Sequence, residues 1–405
     1  MEFSTVMIGI LAFICAALIS YTITPPVRLL AYRIGAIDVP TDSRRMHVKP
    51  MPRIGGLSIF VGFLVSTLVF CDHTPALYAM WIGGGLLVML GILDDIYRLS
   101  ALIKLIVQIG SATIAVICFN VRIEFFTLFG KTIEMGVWSI PLSILWITAL
   151  TNAINLIDGL DGLACGVSAI TALSIFGVTV IMQDTSNAML TLIIVASCIG
   201  FLPYNMNPAR IFMGDTGALF LGYVLSIISI SGLFKLHAVL SFFVPLSVFA
   251  LPLLDTVSAV IRRVSTGHSP FSADREHFHF KLVDMGFTQR EAVRLLYGIC
   301  SLMGLVAITF TEGMFHEARV WKTLVIILTA GAIIVLIFIC MRKPSTRILS
   351  GLAEHISEIK LEAQAEAKQE EKERELIEQM KKKEEKKEQL IPYALFSLPS
   401  FSSVQ

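Results

Sequence analysis

A polytopic, all-α membrane protein is the fold class this sequence predicts, and three observations predict it. Hydrophobic residues make up 55% of the 405 positions and mean hydropathy is +0.76, too apolar for a soluble globule. The apolar residues collect in runs of roughly 17–25, the length an α-helix needs to cross a hydrocarbon core. Basic residues concentrate in a few of the connections between runs, the pattern that sets membrane topology.

The runs give about eleven transmembrane helices, near residues 4–24, 55–71, 76–94, 101–119, 138–157, 163–182, 187–204, 216–233, 238–261, 292–311 and 319–341. The first follows only Met1 and Glu2, lacks the positive leader of a secretory signal and stops before Pro25 and Pro26, so it reads as a retained span. The run at Gly55 is short for a crossing. Residues 121–136 alternate apolar and polar side chains around a glycine, which predicts a small hairpin covering the far side. Beyond Ser350 the composition turns to Glu, Lys, Gln and Ala, with the blocks KQEEKERE and KKKEEKKE, as in a charged helix or a partly disordered tail. The stripe Ile348, Leu352, Ile356 and Ile359 fades after Leu361, short of a coiled coil, and the final LIPYALFSLPSF is too short to span. Two domains follow: a membrane domain over 1–345 and a charged tail over 346–405.

Arg28, Arg33, Arg44, Arg45, Lys49 and Arg53 follow the first run, and Arg262, Arg263, Arg275, Lys281 and Arg290 follow the ninth; both loops are therefore expected in the cytosol. An odd span count then puts the N-terminus outside and the tail, with Arg342 and Lys343 before it, inside. Alternating sides from that start brings Asp94/Asp95, Asp158/Asp161, Asp215 and the 262–290 loop to one cytosol-facing cleft. The formal charge of +1 carries little information because acids and bases are segregated along the chain. Seven cysteines (15, 71, 118, 165, 198, 300 and 340) are scattered without a CxxC pair and read as packing residues.

A carboxylate near bilayer depth is costly unless it meets a cavity, a metal or a partner. Residues 152–163, NAINLIDGLDGL, set Asp158 and Asp161 with two glycines at the mouth of a long apolar run. Asp94 and Asp95 close the third run, and Asp215 in RIFMGDTG opens another. Acids gathered with Asn, Gly and Arg suit a hard divalent cation that bridges a carboxylate to substrate phosphates, so magnesium, with manganese as substitute, and a phosphate-ester substrate are expected. Glycines 159, 162, 214 and 217 let backbone approach a ligand, and Phe212 is placed to stack on a base. The stretch 262–281 carries three histidines and several arginines; Arg suits bidentate phosphate binding, and His277 and His279 add donors. Zinc on the HxH pair lacks a completing Cys or His.

In chain order, DVPTDSRRMH with PRIGG, GILDD, NAINLIDGLDGL, NPARIFMGDTG and SPFSADREHFH resemble the polyprenyl-phosphate N-acetylhexosamine-1-phosphate transferases of bacterial envelope synthesis, over residues 1–345. The resemblance implies an enzyme of the bacterial plasma membrane that moves a sugar 1-phosphate from a UDP-N-acetylhexosamine to a polyprenyl phosphate and releases UMP. It implies Asp215 as the magnesium ligand with Asn155 as a second, Asp94 and Asp95 as the acidic pair at the catalytic centre, and Lys104 on the pyrophosphate. Asp158 is counted with the catalytic acids. Asp161 and Phe212 resemble the uridine contacts, and Arg263, His277 and His279 the sugar and phosphate contacts. HFH followed by Phe280, in place of three successive histidines, favours the branch using UDP-N-acetylglucosamine and undecaprenyl phosphate. Substrates and membrane lipids are the expected partners and nucleic acid is not; a homodimer and a partner for the tail are left open.

A lipid phosphate monoester has a second pKa of about 6 and is largely dianionic at neutral pH. Two routes stay open: in-line attack by the lipid phosphate, and a phospho-aspartate at Asp94 or Asp95. Blander readings also stand. Asp94/Asp95 could mark a helix end, Asp215 an N-cap, Phe212 packing, Arg28, Arg33, Arg44 and Arg45 topology alone, and Asp255 either support for a site residue or a polar helix contact. An ion-coupled transporter would place its acids near the midplane of two related halves, and no internal repeat is visible. A CDP-alcohol phosphotransferase needs Ala-Arg after its first Asp-Gly, which DGLDGLACG lacks, and a scaffold acting through the tail leaves the acids unexplained.

Overall fold

The computed structural model describes residues 3–39, 50–128, 131–233, 243–265 and 277–315, with 324, 328–329 and 331. The chain divides into two units, Met1–Lys343 and Pro344–Gln405. The second unit, with the charged tail, lies outside the described residues, as do 40–49 and 266–276.

The described helices are α1 (Phe3–Ile34), α2 (Gly56–Phe70), α3 (Pro75–Tyr97), α4 (Ala101–Thr113), α5 (Ser139–Leu156), α6 (Leu163–Ile181), α7 (Thr185–Asn205), α8 (Gly214–Ile228), α9 (Phe243–Val248), α10 (Ala250–Ser265), α11 (Phe278–Asp284) and α12 (Gln289–Phe315). Eight helical stretches among the described residues are long and apolar enough to cross a membrane: Ser4–Ile34, Pro75–Tyr97, Ala101–Cys118, Gly136–Leu156, Leu163–Ile181, Thr185–Asn205, Gly214–Leu233 and Gln289–Glu312. The protein is therefore a helical, multi-pass membrane protein.

Three of the expected runs look different, and a fourth falls almost wholly outside the described residues. Helix α2 has 15 residues, about 22 Å at 1.5 Å per residue, short of a hydrocarbon core of about 30 Å. The run at 238–261, described from residue 243, is interrupted between α9 and α10, because Pro252 has no N–H to offer the Val248 carbonyl. The run at 319–341 lies outside the described residues except at four positions. The first run is longer than expected, since α1 continues through Pro25 and Pro26. Proline's fixed φ is itself helical, so the cost is two missing N–H bonds, which membrane helices accommodate.

Helix α8 is the centre of the bundle: 94% of the apolar window Gly214–Leu233 is buried, against 22% for the window in α1. A helix apolar all round belongs in an interior. Phe60 and Phe63 of α2 meet Phe220 edge-on, at centroid distances of 5.3 and 5.5 Å. Tyr223, fully buried, donates its hydroxyl towards Ala79 O of α3 (3.1 Å) and Ser111 O of α4 (3.2 Å). Trp146 of α5 donates Nε1 to Ser229 Oγ (2.9 Å). Exposed Ile10, Leu18 and Leu29 of α1 form the kind of apolar surface that lipid covers.

Two short antiparallel pairs complete the description. Strand β1 (Ile37–Asp38) pairs with β2 (Met51–Pro52), and β3 (Phe125–Leu128) with β4 (Lys131–Glu134) in the register Phe125 to Glu134, which is the hairpin expected from alternation. The β2 strand continues into a ladder with the approach to α8. Phe212 N donates to Pro52 O (2.8 Å), Gly55 N to Phe212 O (2.9 Å) and Gly56 N to Met213 O (2.8 Å).

A Cβ at Gly83 would stand 1.9 Å from the Tyr223 hydroxyl, whereas one at Gly110 would meet nothing within 4 Å. Gly83→Leu should therefore cost about 1–3 kcal/mol or more through overpacking, and Gly110→Ala should leave the unfolding temperature in detergent unchanged or higher.

Candidate active site

The ends of α3 and α5 and the starts of α4, α6 and α8 meet at one end of the bundle, and the acids predicted from sequence lie on them. Asp94 and Asp95 occupy the last turn of α3, which Arg98 closes in the left-handed conformation at φ 53°. Asp94 accepts the Leu99 amide (2.8 Å) on Oδ1 and Lys104 Nζ (3.1 Å) on Oδ2. Ser100 caps α4, so Lys104 rises from its first turn. The same Nζ reaches Asp215 Oδ2 at 2.8 Å, making Lys104 a bridge between the two acids.

Asp95 turns the other way. Its side chain has no exposed surface; Arg53 Nε lies 3.3 Å from Oδ1. Asp215 N donates to Oδ1 (3.3 Å), and Thr216 N (3.4 Å) and Thr216 Oγ1 (2.9 Å) donate to Oδ2. The carboxylate thus satisfies amides in the first turn of α8, where the helix presents unpaired N–H groups and positive partial charge. Gly214, at φ +70°, makes the approach feasible, because a Cβ there would lie 1.9 Å from Arg53 O and 2.5 Å from Asp95 Oδ2.

Asp158 lies in the turn between α5 and α6, its amide on Asn155 O (3.2 Å). Burial first, then the negative charge of Asp215, pushes its carboxyl up to about 8, with Arg53 opposing the rise. Asp161 is engaged structurally: its Oδ2 accepts Asn207 Nδ2 and Ala209 N, both at 3.0 Å. Asn207 in turn bonds Gln289 Oε1 (2.8 Å) and accepts Arg290 Nε (3.1 Å), tying α12 to the same turn. Phe212 is half-buried, its backbone spent on the ladder to Pro52 and Gly55. Asn152 pairs with Gln108 Oε1 across α5 and α4 (2.5 Å).

The histidine pair is held from α10. Asp255, 2% exposed, accepts His277 Nδ1 and Phe278 N, both at 2.9 Å. His277 and His279 stack with centroids 5.8 Å apart, and His279 lies against Phe280 at 4.2 Å. His279 Nε2 is directed at the Asp158 turn, since a Cβ on Gly159 would come within 2.1 Å of it. Burial pushes the His279 imidazole down to about 4. Arg263 is buried at the end of α10.

The structure thus joins Asp94, Asp95, Lys104 and Asp215 by direct contact, brings Asp158 into their electrostatic range, and seats His279 at the glycine after Asp158. Arg53 enters this cluster through Asp95, although from sequence it counts only among the loop cations, with no site role; its setting inside a Pro-Arg-Ile-Gly-Gly turn, apart from the Arg44/Arg45 run, is the signal that distinguishes it. Thr216 is the other addition. Among the described residues no group of three or more His, Cys, Asp and Glu converges at metal-binding distance. Magnesium commonly binds through one or two carboxylates together with substrate phosphates and waters, and the side-chain oxygens of Asp215 and Asn155 are of the chemical kind that ion takes.

Residues 77–233 match the family described as glycosyl transferase family 4. The chain is 39% identical over 321 residues to the probable undecaprenyl-phosphate N-acetylglucosaminyl 1-phosphate transferase of Bacillus subtilis (strain 168), covering 78% of this chain and 88% of that protein. It is 34% identical to the decaprenyl-phosphate N-acetylglucosaminephosphotransferase of Mycolicibacterium smegmatis, covering 75% and 81%. It is 29% identical to the undecaprenyl-phosphate alpha-N-acetylglucosaminyl 1-phosphate transferase of Salmonella typhi, covering 75% and 83%.

A histidine held neutral in the fold contributes stability that is complete above its unfolded pKa of about 6.5 and is lost as pH falls towards about 4. Unfolding of the wild type should accordingly become easier between pH 6.5 and 4, and His279→Gln should flatten that slope in thermal melts run across the range.

Proposed function

The chain belongs to glycosyl transferase family 4, the polyprenyl-phosphate N-acetylhexosamine-1-phosphate transferases, and on that premise we propose that it transfers N-acetylglucosamine 1-phosphate from UDP-N-acetylglucosamine to undecaprenyl phosphate, starting a lipid-linked envelope glycan. The observation that carries this reading is the Asp94–Lys104–Asp215 bridge beside Asp158, at a bundle end where a membrane-anchored phosphate and a water-soluble nucleotide can meet. The names of the bacterial relatives supply the sugar and the lipid class.

A lysine ammonium has three N–H donors. Lys104 spends two on Asp94 and Asp215, leaving one for a diphosphate oxygen. A magnesium ion on Asp215 and Asn155 would supply Lewis-acid neutralisation of phosphate charge. Phe212 offers an apolar face to uracil, Asp161 holds its turn, and Arg263, His277 and His279 border the sugar phosphate. The lipid phosphate oxygen attacks the sugar-bearing phosphorus, a new P–O bond forms, the P–O bond to the second phosphate breaks, and UMP leaves with the electron pair. The enclosed Asp95 carboxylate, engaged by Arg53, Asp215 and Thr216, is poorly placed as a nucleophile, which favours this single displacement over a phospho-aspartate at that residue.

In this proposal the acidic end of the bundle faces the cytosol, with the positive-inside distribution as support. Eleven spans, with the 15-residue α2 counted as a crossing that the bilayer thins to meet, the N-terminus outside and the tail inside, a bacterial plasma-membrane location, and a tail whose partner is a separate question belong to the same reading. The transporter alternative gains no support, because the acids gather at one end of the helices.

Purified protein in nanodiscs, given magnesium, undecaprenyl phosphate and UDP-N-acetylglucosamine, should release UMP only when lipid and metal are both present. Asp215→Asn should lower that rate by about 100-fold or more while the protein stays folded, a loss of the size seen when one charge-stabilising group is removed; full activity would remove the metal assignment. Deleting residues 352–405 should leave turnover intact, and loss of turnover in folded truncated protein would make the tail part of the catalytic unit.

A further inference from the structure

We infer that Asp255 is a positioning residue for the reaction: through His277 Nδ1 and the Phe278 amide it fixes the start of α11 and so presents His279 Nε2 to the turn at Gly159. The inference rests on the transferase reading only in treating His279 as a substrate contact.

Among the described residues, the Asp255 carboxylate bonds no facing membrane helix. Both oxygens are spent 22 and 23 residues further on, at the two positions that open α11. Helix α11 is seven residues long and its preceding residue, His277, gives it no side-chain cap. Its first amide would be left unpaired at a buried site without the carboxylate, a loss of the kind that is not tolerated cheaply. One oxygen therefore anchors the backbone and the other fixes the imidazole ring. With Nδ1 committed to Asp255, the His277 ring has one orientation, and the His279 ring lies parallel to it with an interplanar angle of 9°. His279 is 1% exposed, and its Nε2 has no hydrogen-bond partner among the described residues. A buried, unpaired nitrogen is rare in a native fold and invites a ligand. It points at Gly159 in the Asp158 turn, where a Cβ would come within 2.1 Å of it. Gly159 thus has a physical reason to be glycine, and Asp255 a reason to be acidic, in the same contact. Carboxylate-held imidazoles are a general way to set ring orientation and tautomer, and losing the carboxylate typically costs 10–100-fold in sites that depend on it.

The test uses the full chain in nanodiscs with Asp255→Asn and, as a second cut of the same tether, His277→Gln. Labelling by diethyl pyrocarbonate, read by mass spectrometry, needs no turnover, and exposed His73 is the internal reference. In wild type His279 should be protected relative to His73, and either variant should speed its labelling about 10-fold or more while the cooperative unfolding transition persists. Unchanged protection in both variants would overturn the inference. In UMP release, Asp255→Asn should lower kcat by about 10–100-fold with KM for the polyprenyl phosphate unchanged, and adding His279→Gln should cause no further loss, the non-additivity expected of residues acting as a unit. Losses that multiply would mean Asp255 acts elsewhere. Wild type that releases no UMP with any UDP-sugar would sink the transferase reading, while the labelling arm would still decide the tether.

Discussion

The buried Asp95 carboxylate beneath the first turn of α8 is the contact on which the rest of the site depends. A charge removed from water is costly unless hydrogen bonds and an opposite charge replace the solvent. Here the replacements are the Asp215 and Thr216 amides, the Thr216 hydroxyl and the Arg53 guanidinium. These bonds fix the end of α3 against the start of α8. Asp215 is part of that same turn, so the tie that holds the helix also aims the carboxylate that Lys104 meets. Adjacent acids therefore do different work: Asp95 faces the fold, and Asp94 faces the bridge to Lys104.

The surrounding bundle makes such a cluster tolerable. Its acids sit at helix ends, where unpaired amides and loop cations are available, while the middle of α8 is packed with Phe220, Leu221 and Tyr223 and close glycine contacts. The apolar outer faces of the helices suit a lipid acceptor's environment, and the polar end suits a nucleotide. Coupling between the two is built from short backbone links, notably the ladder between Pro52–Gly56 and Phe212–Met213 that delivers Arg53 to the acids.

Much of this was legible in the sequence because membrane constraints act on runs and isolated charges. Apolar length located the eight long spans found among the described residues, though not a count of eleven, and the cost of intramembrane carboxylates singled out Asp94, Asp95, Asp158 and Asp215. Partners were not legible, since they are set by tertiary contact: Asp95 meets Thr216 at a separation of 121 residues, and Asp161 meets Ala209 at 48. Arg53 was hidden for the same reason, counted with the other loop cations by a rule that sees only charge and position. Local chemistry also misled once, at Pro25 and Pro26, where a stop signal for soluble helices lies inside α1. The break between α9 and α10 follows a rule available in advance, the missing N–H of Pro252, which a scan for apolar length does not weigh.

The most direct measurement compares Asp94→Asn with Asp95→Asn in the same nanodisc preparation, reading unfolding temperature and turnover for each. The account predicts that Asp95→Asn lowers the unfolding temperature by several degrees, as loss of more than about 1 kcal/mol would, while Asp94→Asn removes turnover with a much smaller change in stability. Equal effects on stability, or a stable Asp95→Asn protein that alone has lost turnover, would contradict the division of labour between the two acids.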